Sequence, residues 1–208
     1  MSILAVVEQA LRIAEAAPDV GKTSGTVRHA RSQMFVSSLG DILRRVFADV
    51  AGVRVLNRSY GGNKKTFGLN ELLYDVLVCE IGNVPAARSG QTLTFVKRSL
   101  WMIESEFAKS SRAALYDFNK LVLGNSANKL FVAPRVADNA SWLATLRPAA
   151  VEAVRDGSRL YCAQISHPRE WKTQVSVVEF HRFVDGAWQH DTGKEPLTQS
   201  EVPSRGLR

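Results

Sequence analysis

The stretch "SLWMIESEFAKSS", residues 99–111, decides how the chain is read. Its first half is apolar enough for a strand buried inside a sheet, and it ends with two carboxylates, Glu104 and Glu106, one residue apart. Side chains alternate across a strand, so Glu104 and Glu106 face one side and Ser105 the other. The full run "TFVKRSLWMIESEF" predicts a long strand. The apolar run "LLYDVLVCEI" before it predicts another, joined to it by a turn-rich connection around Pro85 to Gly90. Within that earlier run Asp75 shares a face with Leu73, Leu77 and Cys79, where a carboxylate is costly unless charge meets it. Adjacent strands lie about 4.8 Å apart, so pairing these two would bring Asp75, Glu104 and Glu106 to one point. Three converging carboxylates call for a cation, and hard divalent ions prefer oxygen ligands. The competing reading lets the glutamates leave the core for solvent and pairs Asp75 with an arginine.

Upstream, residues 3–16 set Ile3, Val7, Leu11 and Ala14 at helical spacing and stop before Pro18. With Glu8 and Glu15 and no basic leader, this segment reads as a helix rather than a signal peptide. The segment "PDVGKTSGT" reads as a polar linker. Its Gly21-Lys22-Thr23 is part of a nucleotide-loop pattern, but Ala16 stands where that pattern needs glycine and a helix, not a strand, precedes it. A second helix is predicted over about 31–50 from the stripe Leu39, Ile42, Leu43, Val46, Phe47 and Val50, and "VRVLNRSY" follows as a strand. The basic stretch "GGNKKTFG" reads as a flexible loop able to approach a phosphate backbone, which makes Lys64 and Lys65 candidate nucleic-acid contacts, together with Arg112.

Downstream, Ser110 or Ser111 caps a helix whose apolar face is Ala114, Leu115, Phe118, Leu121 and Val122, stopped by Gly124-Asn125. A short strand "NKLFVAP", a helix over about 140–155 kinked at Pro148, and a strand "RLYCAQIS" follow. The run "TQVSVVEFHRFVDGAWQHD" predicts a hairpin turning at Asp185-Gly186. The expected fold is therefore a mixed α/β domain around one central sheet. Residues 1–25 would form an N-terminal helix and linker, 26–192 the single domain, and 193–208 a loose tail.

Composition narrows the function. A chain of 208 residues, 45% hydrophobic and 23% charged, has the material for one ordinary globular core. Its apolar runs fall far short of the roughly 20 residues that cross a bilayer, so no membrane role is expected. Cys79 and Cys162 lie far apart with no CxxC pair, fitting buried thiols in a reducing cytoplasm. A net charge of +7 favours a polyanionic partner, nucleic acid first. His167, His181 and His190 lack a second ligand at helical or hairpin spacing and read as structural or surface groups. Trp101, Trp142, Trp171 and Trp188 read as core residues, with Trp171, between Arg169 and Lys172, also a candidate to stack on a base.

The segments "LYDVLVCE", "MIESEF", "SSRAALYDFNKLV" and "NKLFV" together resemble the core of the PD-(D/E)XK, restriction-endonuclease-like, nuclease superfamily, over about residues 31–133. That core is a helix, a three-stranded meander, a helix and a further strand, with C-terminal helix, strand and hairpin additions here. An Asp lies on its second strand and a Glu-x-Lys signature on its third. Two positions depart from the pattern: Tyr74 replaces the usual Pro, and Glu106 replaces the Lys, a Glu-x-Glu variant. The resemblance implies an endonuclease that hydrolyses phosphodiester bonds of DNA with Mg²⁺, or Mn²⁺ as a substitute. Asp75 and Glu104 would be metal ligands, and the Ser105 backbone carbonyl would complete the protein's share of the shell. Glu106 would act as a further ligand or would orient and deprotonate the attacking water. Lys109 would be the cation that restores the missing positive charge. A homodimer or larger complex would be needed for double-strand cuts at a symmetric site. The alternative is a catalytically inactive nucleic-acid-binding or protein-assembly subunit that keeps the fold, its carboxylates paired with Arg98 or Arg112.

Overall fold

The alternation read from the sequence sorts apolar residues onto two faces of one sheet. A computed structural model describes residues 1–19, 23–68, 72–87, 90–173 and 175–197. Its elements are α1 (Ile3–Ala16), α2 (Ser24–Val46), β1 (Val53–Asn57), α3 (Gly62–Phe67), β2 (Val76–Pro85), β3 (Thr92–Ser105), α4 (Ser111–Leu123), β4 (Ser126–Pro134), α5 (Asn139–Ala153), β5 (Arg159–Ile165), β6 (Val178–Val184) and β7 (Ala187–His190). The seven strands form one mixed sheet in sequence order. Strands β1, β2 and β3 are an antiparallel meander, β3, β4 and β5 run parallel, and β5, β6 and β7 are antiparallel again. The parallel joints require crossovers, and α4 and α5 supply them.

On one face Val55, Val78, Ile103, Val132 and Ala163 pack beneath Val7, Leu11, Leu39 and Leu43 of α1 and α2. On the other, Leu77, Met102, Phe131 and Cys162 pack beneath Phe118, Leu121, Leu143 and Leu146 of α4 and α5. Cys79 and Cys162 are buried free thiols. Trp101, Trp142 and Trp171 are buried and Trp188 partly so. Trp171 lies against Phe35 and Phe107, so no face of it is open to a base. Asp185 and Gly186 adopt the positive φ values, 51° and 75°, of the expected two-residue hairpin turn.

Three local expectations are corrected. α2 starts at Ser24, not near residue 31, because Thr23 and Thr26 form a reciprocal capping box that nucleates the helix ahead of its apolar stripe. The helix that precedes it is α1, and Gly21 and Lys22 lie outside the described residues. The basic stretch at 60–68 is not a loop but carries the short helix α3, closed by Gly68 at φ 75° with its amide donating to the Lys64 carbonyl at 2.9 Å. Asp75 is not inside a strand either, since β2 begins at Val76.

The N-terminal helix is part of the same core, and residues 193–197 of the expected tail are tied to it. The Leu197 amide donates to the Met1 carbonyl at 2.9 Å, and Ser2 bridges to Pro196. Among the described residues no helix is long and apolar enough to cross a membrane.

Candidate functional site

The chain enters β2 through a tight turn. The Tyr74 amide donates to the Leu72 carbonyl at 2.7 Å, with Leu73 at φ 64°. Leu73 is thereby thrown outward, 76% exposed, instead of sharing a buried face with Leu77 and Cys79. The same turn frees Asp75 from the pleat, so its carboxylate reaches the neighbouring strand end. Asp75 Oδ2 accepts from the Ser105 amide at 2.9 Å and from the Ser105 hydroxyl at 2.6 Å. Antiparallel pairing of β2 with β3, Val76 opposite Ile103, sets this meeting. Burial pushes the Asp75 carboxyl above its ordinary range, against the pull of the Ser105 bonds and the Lys120 charge.

Glu104 points into the layer of α4, beside Met102 and Phe131, and is 1% exposed. Its Oε2 accepts from Lys120 Nζ at 3.0 Å, while Oε1 is buried with no hydrogen-bond partner. Burial first, then the charge of Asp75, push its pKa up to about 8, although Lys120 pulls the other way. Lys120 also pairs with Asp117 one helical turn back at 3.0 Å. Burial works against the Lys120 charge, but its bonds to Asp117 and Glu104 outweigh it and hold the ammonium above its ordinary range. Tyr74 closes this side, its hydroxyl donating to the Lys120 carbonyl at 3.4 Å, and burial and the Glu104 charge raise its pKa.

Glu106 lies past the end of β3, so strand alternation no longer aims it beside Glu104. Its Oε1 accepts from the Ala108 amide at 2.5 Å, and its carboxyl meets that of Asp117. Burial, and then the Asp117 contact, push the Glu106 pKa up against that amide. The expected convergence of three carboxylates is thus not seen: Asp75 is held by Ser105, Glu106 meets Asp117, and Lys120 bridges Glu104 and Asp117, with Asp75 acting on Glu104 through its charge. Among the described residues no three acidic, imidazole or thiol groups gather tightly enough to hold one metal ion. The donor types still suit a hard cation: carboxylates near enough to feel each other's charge, one with a buried oxygen that nothing satisfies.

Lys109 does not turn toward this cluster. It pairs with Glu170 at 3.0 Å, and the cation that meets Glu104 is Lys120, which sequence reading passed over. Arg98 is likewise bound to Glu80 at 2.7 Å, and Arg112 is exposed on α4. A cleft of about 830 Å³ opens beside the end of β3, lined by Asp75, Ser105 and Glu106 and by Arg28, Arg31 and Arg58. Lys64, Lys65 and Arg112 are not among its lining residues. His167 is buried, its Nδ1 accepting from the Arg169 amide at 3.1 Å. His181 and His190 meet edge to face across the β6–β7 hairpin.

No protein-family model matches the chain, and no significant match to a curated protein or to a solved structure is found. Function is therefore read from this geometry.

Proposed function

We propose that the chain is a divalent-cation-dependent phosphodiesterase, a nuclease of the restriction-endonuclease-like kind acting on DNA. The observation that carries the reading is buried Glu104, one oxygen on Lys120 and the other without a partner, lying within the field of Asp75, which itself lines an arginine-bearing cleft. Most buried polar atoms have a partner, and ionisable groups with shifted pKa values beside clefts mark candidate functional sites. The element order supports the same reading: α2, the β1–β3 meander, α4 and β4 parallel to β3 follow the helix, meander, helix and strand of that core.

Asp75 and Glu104 would hold Mg²⁺ or Mn²⁺, which supplies Lewis-acid polarisation of the phosphoryl oxygen and a lowered pKa for water. Ser105 fixes the Asp75 carboxylate through its amide and hydroxyl. Lys120 holds Glu104 by one oxygen and leaves the other free for binding. Glu106 lines the cleft with a raised pKa, which suits it to take the proton of a water attacking phosphorus.

The test is cleavage of supercoiled plasmid and of single strands in Mg²⁺ or Mn²⁺, with wild type beside Asp75→Ala and Glu104→Ala and each fold checked by circular dichroism. Cutting that both substitutions abolish supports the proposal. A second reading, a binding or assembly subunit without catalysis, is favoured by the absence of a three-ligand group among the described residues. Folded wild type that binds DNA and cuts nothing with either metal would replace the first reading with the second.

A further inference from the structure

The arginine-lined cleft has a composition of its own. Arg28 and Arg31 come from α2 and Arg58 from just beyond β1, while Asp75, Ser105 and Glu106 come from the strand ends. Arg31 is already engaged: its guanidinium binds Asp19 at 2.9 and 3.2 Å and donates to the Pro168 carbonyl at 2.6 Å. Arg28 is half-buried and makes no ion pair among the described residues. Apolar side chains, Ala14, Met34, Val36 and Phe107, line the same cavity.

A wall that reads only phosphate needs only charge. A cavity that mixes arginine with apolar surface can take both parts of a nucleotide, and the base part is accessible only when it is unpaired. The volume of about 830 Å³ falls in the range of roughly 300–1,000 Å³ that encloses a single ligand-sized unit. That is the scale of a nucleotide in one strand and not of a paired duplex.

We propose that the cleft receives a single, unpaired DNA strand, with Arg28 contacting a phosphate and the apolar wall meeting a base. The class of polymer is taken from the phosphodiesterase function proposed above. Binding is measured by fluorescence anisotropy, using labelled short oligothymidylate and a DNA hairpin with the same number of nucleotides. The Glu104→Gln protein in chelator serves as host, so that no cleavage intervenes.

The expected result is oligothymidylate bound at least about tenfold more tightly than the hairpin. Arg28→Ala should weaken single-strand binding by about three- to tenfold and flatten the slope of log affinity against log salt by about 0.7. Arg28→Lys, which keeps the charge, should restore the slope. Equal or tighter binding of the hairpin would overturn the inference, as would an unchanged slope in folded Arg28→Ala. If wild type cleaves nothing yet oligothymidylate binds through Arg28, the nuclease proposal falls and the strand preference stands. If wild type cuts duplex and shows no strand preference, only this inference falls.

Discussion

Two ionisable side chains are sealed in the same layer, on neighbouring strands. Glu104 on β3 and Lys129 on β4 are each 1% exposed, and the register sets Met102 opposite Lys129 and Glu104 opposite Phe131. Lys129 is the better provided for, although burial still holds its ammonium below its ordinary range against the pull of Asp156. Its ammonium donates to the Ala153 carbonyl at the end of α5 at 2.6 Å and to Asp156 at 3.1 Å. A cation at a helix C-terminus is favourable, and the Ser158 amide donates to Asp156 in turn at 3.0 Å. Glu104 instead has one half-exposed partner, one orphaned oxygen and the unfavourable charge of Asp75 acting on it. Burial works against both groups; two hydrogen bonds offset part of that cost for Lys129, whereas Glu104 also carries an unsatisfied oxygen and like-charge repulsion that binding a cation can relieve.

The comparison breaks most sharply at Glu104. Glu104→Gln keeps the shape and removes the charge, so cleavage should fall at least about 10²-fold while the melting temperature holds or rises. A large loss of stability would make Glu104 structural and erase the contrast. Lys129→Ala should do the reverse, since it opens a cavity and strands the Ala153 carbonyl. Urea unfolding should show a loss of about 2–4 kcal/mol. Lys129→Met, which retains the apolar stem, should cost less. A stability-neutral Lys129→Ala would show that full hydrogen bonding is not what separates the two sites.

Lys120 joins the comparison as the cation bonded to Glu104, acting on the reaction by positioning it. Lys120→Met should lower cleavage by about 10- to 100-fold. It should also move the acidic limb of the pH–rate profile upward, because Lys120 is what pulls the Glu104 pKa down. A rate loss without that shift would leave Lys120 a merely structural partner.

How far all this can be read from the chain depends on the range of the interaction. The strand at 92–105, the stripe of α4 and the Asp185-Gly186 turn are set by periods and dipeptides that local residues specify. The first turns of α2, "SGTVRHAR", carry no apolar stripe; the helix is started there by two threonine side chains instead. Leu73 gives no glycine-like signal of its left-handed turn, so the departure of Asp75 from the strand is invisible in sequence. Pairing of β2 with β3 brings Asp75 to the end of β3, as the two apolar runs suggest, but onto Ser105 rather than onto Glu104. The Lys120 bond to Glu104 spans 16 residues and depends on how α4 crosses the sheet. Its place one helical turn after Asp117, in "DFNKL", was the only local trace. The cleft, made where α2 meets the end of β3, has no sequence-local signature at all.

Glu104 also gives the contrast a pH signature. Its carboxyl has an ordinary value of 4.5 and about 8 in the folded chain, so the folded state keeps a proton that the unfolded state gives up. The stabilisation is complete below about pH 4.5 and is lost as pH rises toward about 8. In chelator, the melting temperature of wild type should therefore fall across that window more than that of Glu104→Gln. Adding Mg²⁺ at the upper end should restore part of the loss in wild type only. Parallel curves for the two proteins would mean that Glu104 is ionised without penalty and that its orphaned oxygen is satisfied in solution.

The smallest effect belongs to the cation that the sequence favoured. Lys109 and Glu170 pair at 3.0 Å with both side chains open to water, so solvent and salt screen the attraction and side-chain ordering offsets it. Lys109→Ala should cost less than about 1 kcal/mol of stability, read by urea unfolding, with the difference fading as salt is raised. A cost as large as that of Lys129→Ala would mean that the loop carrying Glu170 depends on this pair to seat Trp171 against Phe35 and Phe107. The same charge type would then contribute through the loop it anchors, and burial alone would no longer rank the charges of this protein.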